Sequence, residues 1–338
     1  MSLLPALPAT VAPLGHATLE NPLIHELCSM LHFRRPARSD SERAFIARYI
    51  EPLGVERDAH GNLIKRIGDS PVLWSCHTDS VHSQGGIQKV AITPQGEICL
   101  ASDKESSCLG ADCATGVWLM RNMILRGVPG LYVFHRDEEI GGKGSTFIAH
   151  ETPNLLREIK MAIAFDRKGY DSIITHQMSA RCASNAFAES MASQLPAGMK
   201  ADANGIYTDT ANYVDIIPEC SNLSVGYHSA HSAQEWQSGV FALSLLDSML
   251  RFDWTRVTVA RDPTEIDDDD YWNRWGADLW SNDERKTGCR GARRSDYTNG
   301  MTLAEILEFY PDEAAEALER WGFTEADLLD EMRLSRRR

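Results

Sequence analysis

The chain has 338 residues, of which 43% are hydrophobic and 24% charged, and its formal net charge at pH 7 is −14. This length predicts one large or two modest domains with a sizeable apolar core. The negative charge argues against a protein that binds nucleic acid by neutralising phosphates. No apolar run reaches the length of about 18 residues that a transmembrane helix needs, so the sequence predicts no membrane partner.

The cysteines and the N-terminal stretch indicate the compartment. The eight cysteines form no CxxC pair and are interpreted as reduced thiols, not as a disulfide framework. Residues 1–14 are apolar but have no basic region, which argues against a secretory signal. These features predict a cytoplasmic protein.

Helical and strand patterns alternate along residues 21–255. In chain order they predict helices at 21–32 and 40–50, strands at 62–67 and 72–75, a helix at 114–127, strands at 131–135, 159–166, 173–176 and 222–226, and a helix at 237–251. Ser39 and Asp40 are candidate caps for the second helix. This alternation predicts an α/β fold, a three-layer α/β/α sandwich around a mixed, mainly parallel sheet.

The chain divides into four segments. Residues 1–20 are an N-terminal extension, and 21–260 form the main domain. Residues 261–300 are an acidic and polar connector that contains a run of four aspartates at 267–270. Residues 301–338 have helical spacing and predict a small α-helical C-terminal appendage. This module is either a solvated appendage or a surface for partner docking or homo-oligomerisation.

Acidic and histidine side chains lie where predicted strands end or where the next helix begins. In chain order they are His77, Asp79, Asp112, Glu138, Glu139, Asp166, His228 and His231. Ligands of open α/β sheets bind at the carboxyl ends of the strands, so we expect these side chains to lie together. Imidazole and carboxylate groups are typical ligands of zinc, manganese or cobalt. The set suits two zinc-class ions.

Spacing within this set indicates further roles. Only one residue separates His77 from Asp79, so an extended chain puts both side chains on one side. Asp79 could then accept the second imidazole N–H and fix the tautomer of His77. Of the adjacent Glu138 and Glu139, one carboxylate could bind metal while the other takes a proton from metal-bound water.

As an ordered set, these motifs resemble the co-catalytic zinc peptidase clan of aminopeptidases, carboxypeptidases and deacylases. The matching segments are Asp58-Ala-His-Gly-Asn62-Leu-Ile, Cys-His77-Thr-Asp79, Gly110-Ala-Asp112-Cys-Ala-Thr-Gly116, Asp137-Glu138-Glu139-Ile-Gly141-Gly142, Phe-Asp166-Arg-Lys-Gly and His231-Ser-Ala-Gln-Glu235. The resemblance spans about residues 22–255 and implies that 21–260 is a metallopeptidase-like catalytic domain.

The resemblance implies a role for each metal ligand. His77 and Asp166 would hold one ion, Glu139 and His231 would hold the other, and Asp112 would bridge the two.

The remaining roles concern catalysis. Glu138 would be the general base for a water that bridges two divalent ions. Zinc is the favoured metal, with manganese and cobalt as alternatives. Asp79 would orient His77. Cys113 stands where the clan commonly has an acidic or amide residue; that position is not normally a ligand, so we expect little effect beyond metal preference.

Three further residues are candidates for binding the substrate. Both His228 and His231 are open as the last ligand. The resemblance favours His231, because members of the clan often have Ser or Thr after this ligand and Glu four positions on, as Ser232 and Glu235 are here. His228 would then line the pocket. Tyr227 is a candidate for oxyanion support. Asp209 is a candidate partner for a substrate ammonium, with a loop cap as the alternative.

The lengths of the segments between the predicted ligands indicate which branch of the clan the chain resembles. His77 and Asp112 are 35 positions apart, and Asp166 and His231 are 65 apart. Relatives with a lid domain insert it in one of these gaps, and neither gap is long enough for one. The resemblance therefore implies a lidless, aminopeptidase-like enzyme acting on a peptide or small amide with a free N-terminus.

Three alternatives remain. A carboxypeptidase or deacylase-type amidohydrolase of the same fold would use the same ligands. A mono-metal acyltransferase, such as a cyclase, would have lost a ligand or the base. A catalytically silent binding or scaffold protein would act through the acidic C-terminal region. Retention of all five ligands and Glu138 favours the hydrolase.

Overall fold

A computed structural model of the protein describes residues 14–102 and 106–265. The C-terminal module at 301–338 and most of the connector lie outside the described residues, as does most of the N-terminal extension. The predicted domain limits therefore stay predictions. No helix within the described residues is long and apolar enough to cross a membrane.

Six α-helices occur in the part of the chain that the structure describes. They are α1 (Pro22–Leu31), α2 (Asp40–Tyr49), α3 (Ala111–Leu125), α4 (Lys143–Glu151), α5 (Asn185–Ala192) and α6 (Gly239–Leu250). The Ser39 side chain accepts a hydrogen bond from the backbone N–H of Glu42 and so caps α2, as the sequence predicts. Four of the helices match predicted ones, whereas α4 and α5 were not predicted.

Sixteen short or medium strands accompany them in the described residues. They are β1 (Phe33–Arg34), β2 (Glu56–Arg57), β3 (Leu63–Ile67), β4 (Val72–His77), β5 (Gly86–Ile87), β6 (Val90–Ile92), β7 (Glu97–Leu100), β8 (Gly130–His135), β9 (Met161–Arg167), β10 (Ser172–Ile174), β11 (His176–Gln177), β12 (Ala180–Arg181), β13 (Lys200–Asp202), β14 (Glu219–Ser224), β15 (Tyr227–His228) and β16 (Trp236–Ser238). All six predicted strands have a counterpart, with ends that differ from the predicted ones by at most three residues.

The main sheet has eight strands in the spatial order β13-β10-β14-β9-β4-β8-β3-β2. Its four central strands, β14, β9, β4 and β8, are parallel neighbours, whereas β3 runs antiparallel to β8 and β10 runs antiparallel to β14. This confirms the mixed, mainly parallel sheet. A second, antiparallel sheet has the strand order β15-β16-β7-β6. Its strand β15 comes shortly before His231, the last predicted ligand, in the sequence.

The central strands are buried on both faces, as is typical of a parallel sheet covered by helices. Every residue of β4 is buried, and neighbouring residues point into different cores. Trp74 packs in the larger core with residues of α1, α3 and α6, whereas Leu73 packs with Ile148 of α4 in the smaller one. The three-layer α/β/α sandwich is therefore confirmed.

A glycine allows α3 to approach the sheet closely. A Cβ added at Gly116 would lie 2.4 Å from the Sγ atom of Cys113 and 2.5 Å from the carbonyl oxygen of Phe165 in β9. The backbone of β9 cannot move away cheaply, because it is paired on both sides. This close approach places the first turn of α3 beside the carboxyl end of β9.

Replacement of Gly116 by alanine is expected to destabilise the fold by about 3 kcal/mol, because the added methyl group overpacks the helix–sheet contact. The control is Gly127→Ala, where nothing lies within 4 Å of the added Cβ and only the φ of +72° opposes alanine. That change should cost about 1 kcal/mol. Denaturant unfolding measures both, and equal losses would contradict the close approach.

Candidate metal centre

The predicted ligands meet at one edge of the main sheet. His77 is the last residue of β4 and pairs with His135, the last residue of β8. Asp166 lies one residue before the end of β9. Glu139 follows β8 in a loop, and His231 follows β15. Because the central strands are parallel, their carboxyl ends share this edge.

Asp112 lies between two histidines. Its Oδ1 atom is 2.9 Å from Nε2 of His77, and its Oδ2 atom is 3.1 Å from Nε2 of His231. Nε2 of His77 is also 3.3 Å from Oδ1 of Asp166, and Nε2 of His231 is 3.7 Å from Oε1 of Glu139. Each oxygen of the Asp112 carboxylate thus faces a different imidazole.

Three groups of possible ligand atoms lie within 4.8 Å of one another. One group is His77, Cys113 and Asp166; another is His77, Glu138 and Glu139; the third is Asp112, Glu139 and His231. The residues that were predicted to share an ion therefore occur in common groups. Their roles as ligands stay predictions.

Cys113 was set aside in the sequence analysis, but its thiol reaches the site. The Sγ atom donates a hydrogen bond of 3.0 Å to the carbonyl oxygen of Phe165, and the side chain is fully buried. The sequence analysis noted Cys113 as a departure from the clan's pattern but expected no effect beyond metal preference.

Buried carboxylates make this edge strongly negative. Burial raises the pKa of Glu139 to about 8 and that of Asp166 to about 7, and in both cases repulsion from Asp112 adds to the shift. Burial also opposes ionisation of Asp112, but hydrogen bonds from His231 and His77 outweigh it and hold the Asp112 pKa well below its usual range. A cation would offset this buried charge.

The donor set fits divalent metal ions. Nδ1 of His77 and Oε1 of Glu139 are buried and have no hydrogen-bond partner among the described residues. Carboxylate and imidazole groups are the ligands that zinc, manganese and cobalt accept. The unpartnered Oε1 atom of Glu139 and the clustered acids are consistent with a cation at this place, whereas Nδ1 of His77 faces Asp79.

Asp79 lies next to His77 and contacts the turn that carries Glu138 and Glu139. Its Oδ1 atom is 3.6 Å from Nδ1 of His77, too far for a hydrogen bond but on the side opposite the acids that face Nε2. Its two oxygens accept hydrogen bonds from the backbone N–H groups of Glu138 and Glu139, at 3.2 and 3.1 Å. The second contact, which the sequence did not indicate, holds the Glu138–Glu139 turn against β4.

The Asp58–Asn62 turn supports the same loop from its other side. The Asn62 side chain accepts a hydrogen bond from the backbone N–H of Arg136 and donates one to the carbonyl oxygen of Gly144, both at 3.0 Å. Asp58 fixes the Asn62 side chain through a hydrogen bond of 2.7 Å. This motif therefore positions the loop that carries the two glutamates.

The candidate substrate residues lie in different surroundings. The Tyr227 hydroxyl lies 3.2 Å from Oδ2 of Asp112 and 2.9 Å from the carbonyl oxygen of Asp166, so its proton is shared between groups of the site. The His228 ring stacks on Trp236 with centroids 4.5 Å apart. His231, not His228, is thus the histidine beside Asp112.

Asp209 is buried in the fold. Its side chain is 1% exposed, and its Oδ2 atom is 3.3 Å from Nδ1 of the buried His135. It is the first residue of a short 3-10 helix, Asp209–Tyr213. A substrate ammonium could reach this carboxylate only after a rearrangement, so its proposed contact stays a prediction.

Two buried charged residues near the site were missed by the sequence analysis. Arg35 is fully buried and donates hydrogen bonds to the carbonyl oxygens of Thr78 and Gly110, at 2.9 and 2.7 Å. Glu235 accepts hydrogen bonds from the turn before α3. The only signal for Glu235 was its place four residues after His231, and nothing in the sequence distinguished Arg35.

Comparisons with known proteins give the fold a precedent. No protein-family model matches the chain, and no curated protein matches it either. Among solved structures, the aminopeptidase PepT of Bacillus cereus ATCC 10987 has a TM-score of 0.56 at 13% identity, covering 70% of this chain and 98% of that one. A tripeptidase of Staphylococcus aureus subsp. aureus Mu50 has a TM-score of 0.52 at 13% identity, covering 68% and 96%. The resemblance to the peptidase clan is thereby confirmed at the level of the fold.

Replacement of Asp112 by alanine is expected to abolish the binding of divalent ions, because the carboxylate that faces both histidines is removed. Metal content after loading with zinc and desalting measures this. The control is Asp171→Ala, since the Asp171 side chain is 56% exposed and pairs with Lys200. An Asp112→Ala protein that retained the wild-type metal content would show that Asp112 is not a shared ligand.

Proposed function

We propose that this chain, which has the fold of the co-catalytic zinc peptidases, is a metal-dependent peptidase, specifically a dinuclear aminopeptidase. The observation that carries the proposal is the Asp112 carboxylate, which faces His77 with one oxygen and His231 with the other. Glu138 and Glu139 lie within reach of His77, and Glu139 also lies within reach of His231.

The proposed ligands divide into two sets. His77 and Asp166 would hold one ion, Glu139 and His231 would hold the second, and Asp112 would belong to both. When bound, divalent ions supply Lewis-acid chemistry, since they polarise a carbonyl group and make water more acidic. Zinc is the favoured metal, with manganese and cobalt as alternatives.

Glu138 is the proposed general base. Its backbone N–H is held by Asp79, which keeps the side chain next to His77 and Glu139. Burial raises the pKa of Glu138 well above its usual range, and the Asp166, Asp209 and Glu139 charges add to this although His77 opposes it. A carboxylate with a raised pKa can take a proton from the attacking water and return it to the departing amine.

The chain segments between the ligands support a substrate with a free N-terminus. Within the described residues, the segment between His77 and Asp112 contains only the short strands β5, β6 and β7. The segment between Asp166 and His231 contains α5 and short strands that join the main sheet or a hairpin. Neither segment has the size of a lid domain, the element that grips a substrate carboxylate in the carboxypeptidase and deacylase branch.

The solved structures of similar fold also favour this assignment. The two neighbours described above are named an aminopeptidase and a tripeptidase. A peptide or small amide is accordingly the proposed substrate. Homo-oligomerisation or partner docking through residues 301–338 stays a prediction, as does a cytoplasmic location.

Replacement of Glu138 by glutamine is expected to lower kcat by about 10²–10⁴-fold, because the amide cannot accept the proton of the attacking water. Metal content should stay at the wild-type level. Steady-state hydrolysis and metal analysis measure the two quantities. Glu151→Gln, an exposed position on α4, is the matched control and should leave both unchanged. An active Glu138→Gln enzyme would refute the assignment of the base.

A panel of peptides with free, N-acylated or C-amidated ends tests the substrate class. Cleavage restricted to free N-termini and abolished by a chelator is expected of an aminopeptidase. Chelator-sensitive cleavage of the N-acylated peptides would identify the carboxypeptidase or deacylase branch instead. No cleavage by a protein that binds no metal would favour the scaffold alternative.

A further inference from the structure

Glu235 is a buried acidic residue that the proposed chemistry does not use. Its side chain is 1% exposed, and it precedes β16, four residues after His231. A carboxylate removed from water in this way is unfavourable unless several donors satisfy it. Its surroundings therefore show what the charge is used for.

Four successive backbone N–H groups donate to this one carboxylate. Oε2 of Glu235 accepts from Leu109 and Gly110 at 2.9 and 3.0 Å. Oε1 accepts from Ala111 and Asp112 at 2.9 and 3.5 Å. The whole turn that leads into α3 thus converges on Glu235.

The opposite side of that turn is held as well. Arg35, which is fully buried, donates to the carbonyl oxygen of Gly110 at 2.7 Å. Gly110 itself has a φ of +75°, and a Cβ there would lie 2.6 Å from the ring of His82. An anion on the N–H side and a cation on the carbonyl side therefore leave the turn little freedom.

We propose that Glu235 is a positioning residue that couples the His231 loop to the Asp112 turn. His231 and Asp112 belong to one group of candidate ligands, together with Glu139. The hydrogen bonds of Glu235 join the two chain segments that must approach one ion together. The inference rests on the proposed metal site. It assigns to Glu235 the alignment of the group formed by Asp112, Glu139 and His231.

The chemistry of the side chain makes the proposal specific to a carboxylate. Both oxygens of Glu235 accept hydrogen bonds. A glutamine at this position has one acceptor oxygen, and its NH2 group would face a pair of backbone N–H groups. The Glu235→Gln variant therefore keeps the volume of the side chain but removes the acceptor of two of the four backbone N–H groups.

Glu219 provides a matched control elsewhere in the fold. It is fully buried and accepts hydrogen bonds from the backbone N–H groups of Ser184, Ala260 and Arg261. It is the first residue of β14 and pairs with Met161, the first residue of β9, so it lies at the end of the sheet opposite the ligands. The Glu219→Gln variant removes similar contacts without touching the site.

The experiment titrates the metal-free full-length protein with Co²⁺ and follows visible absorption, with a chelator as competitor. The wild type is expected to bind two ions. In Glu235→Gln, the affinity for one of them should fall about 10–100-fold, as is common when a partner that orients a ligand is lost. Glu219→Gln should bind both ions with wild-type affinity. Both variants are expected to unfold at a lower temperature than the wild type in the absence of metal.

Two results would overturn the inference: wild-type Co²⁺ affinities in Glu235→Gln, or an equal loss of affinity in Glu219→Gln, which would mark a general effect of stability. If Glu235→Gln does not fold, Glu235→Asp, which keeps the charge on a shorter side chain, is judged by the same two criteria. A wild-type protein that binds no Co²⁺ would instead refute the proposed function.

Discussion

The Asp112 carboxylate, placed between two imidazoles, is the interaction on which the rest of the site depends. Its oxygens face His77, the last residue of β4, and His231, which follows β15. A shared carboxylate can serve two cations only if both histidines approach it along different directions. The parallel strands supply one direction through β4, and the small antiparallel sheet supplies the other through β15.

Much of the surrounding polar structure secures the loops that bring these groups together. Glu42 is buried and accepts hydrogen bonds from the Thr78 hydroxyl at 2.5 Å and from the Arg136 guanidinium at 2.8 and 2.9 Å. It thereby links the loop after β4 with the loop after β8. Such fully bonded buried networks give a rigid arrangement, whereas removal of one member leaves the others unsatisfied. Polar groups therefore connect the loops of the candidate site to one another.

The sequence was informative where patterns are strong and local. The apolar runs of β4 and β8 predicted the central sheet, and the ordered acid and histidine motifs predicted which side chains would meet. The ends of strands were less certain, since β4 extends to His77 itself and β9 extends past Asp166. Short elements of mixed polarity, such as α5 and the small sheet, were not predicted, because contacts with distant segments stabilise them more than their own sequence does.

Residues that act on the backbone were also hidden from sequence analysis. Arg35 and Glu235 bind carbonyl and N–H groups, which every residue possesses, so no motif marks their partners. The burial of Asp209 could not be predicted for a related reason. The sequence around it is typical of exposed loops, and only the structure shows that the buried His135 ring lies beside it.

The coupling of the His231 loop to the Asp112 turn has a consequence for biosynthesis. Chains emerge from the ribosome from the N-terminus onwards, and contacts between distant segments form late. A nascent chain that has reached α5 carries His77, Asp112, Glu139 and Asp166, but not the segment that contains His231 and Glu235. The candidate acidic ligands are then all present, while His231 and the Glu235 carboxylate that couples its loop to the Asp112 turn are still missing. Metal acquisition is therefore expected to follow the emergence of β16, and a chain that ends prematurely would be left with an open, charged core that proteases can reach.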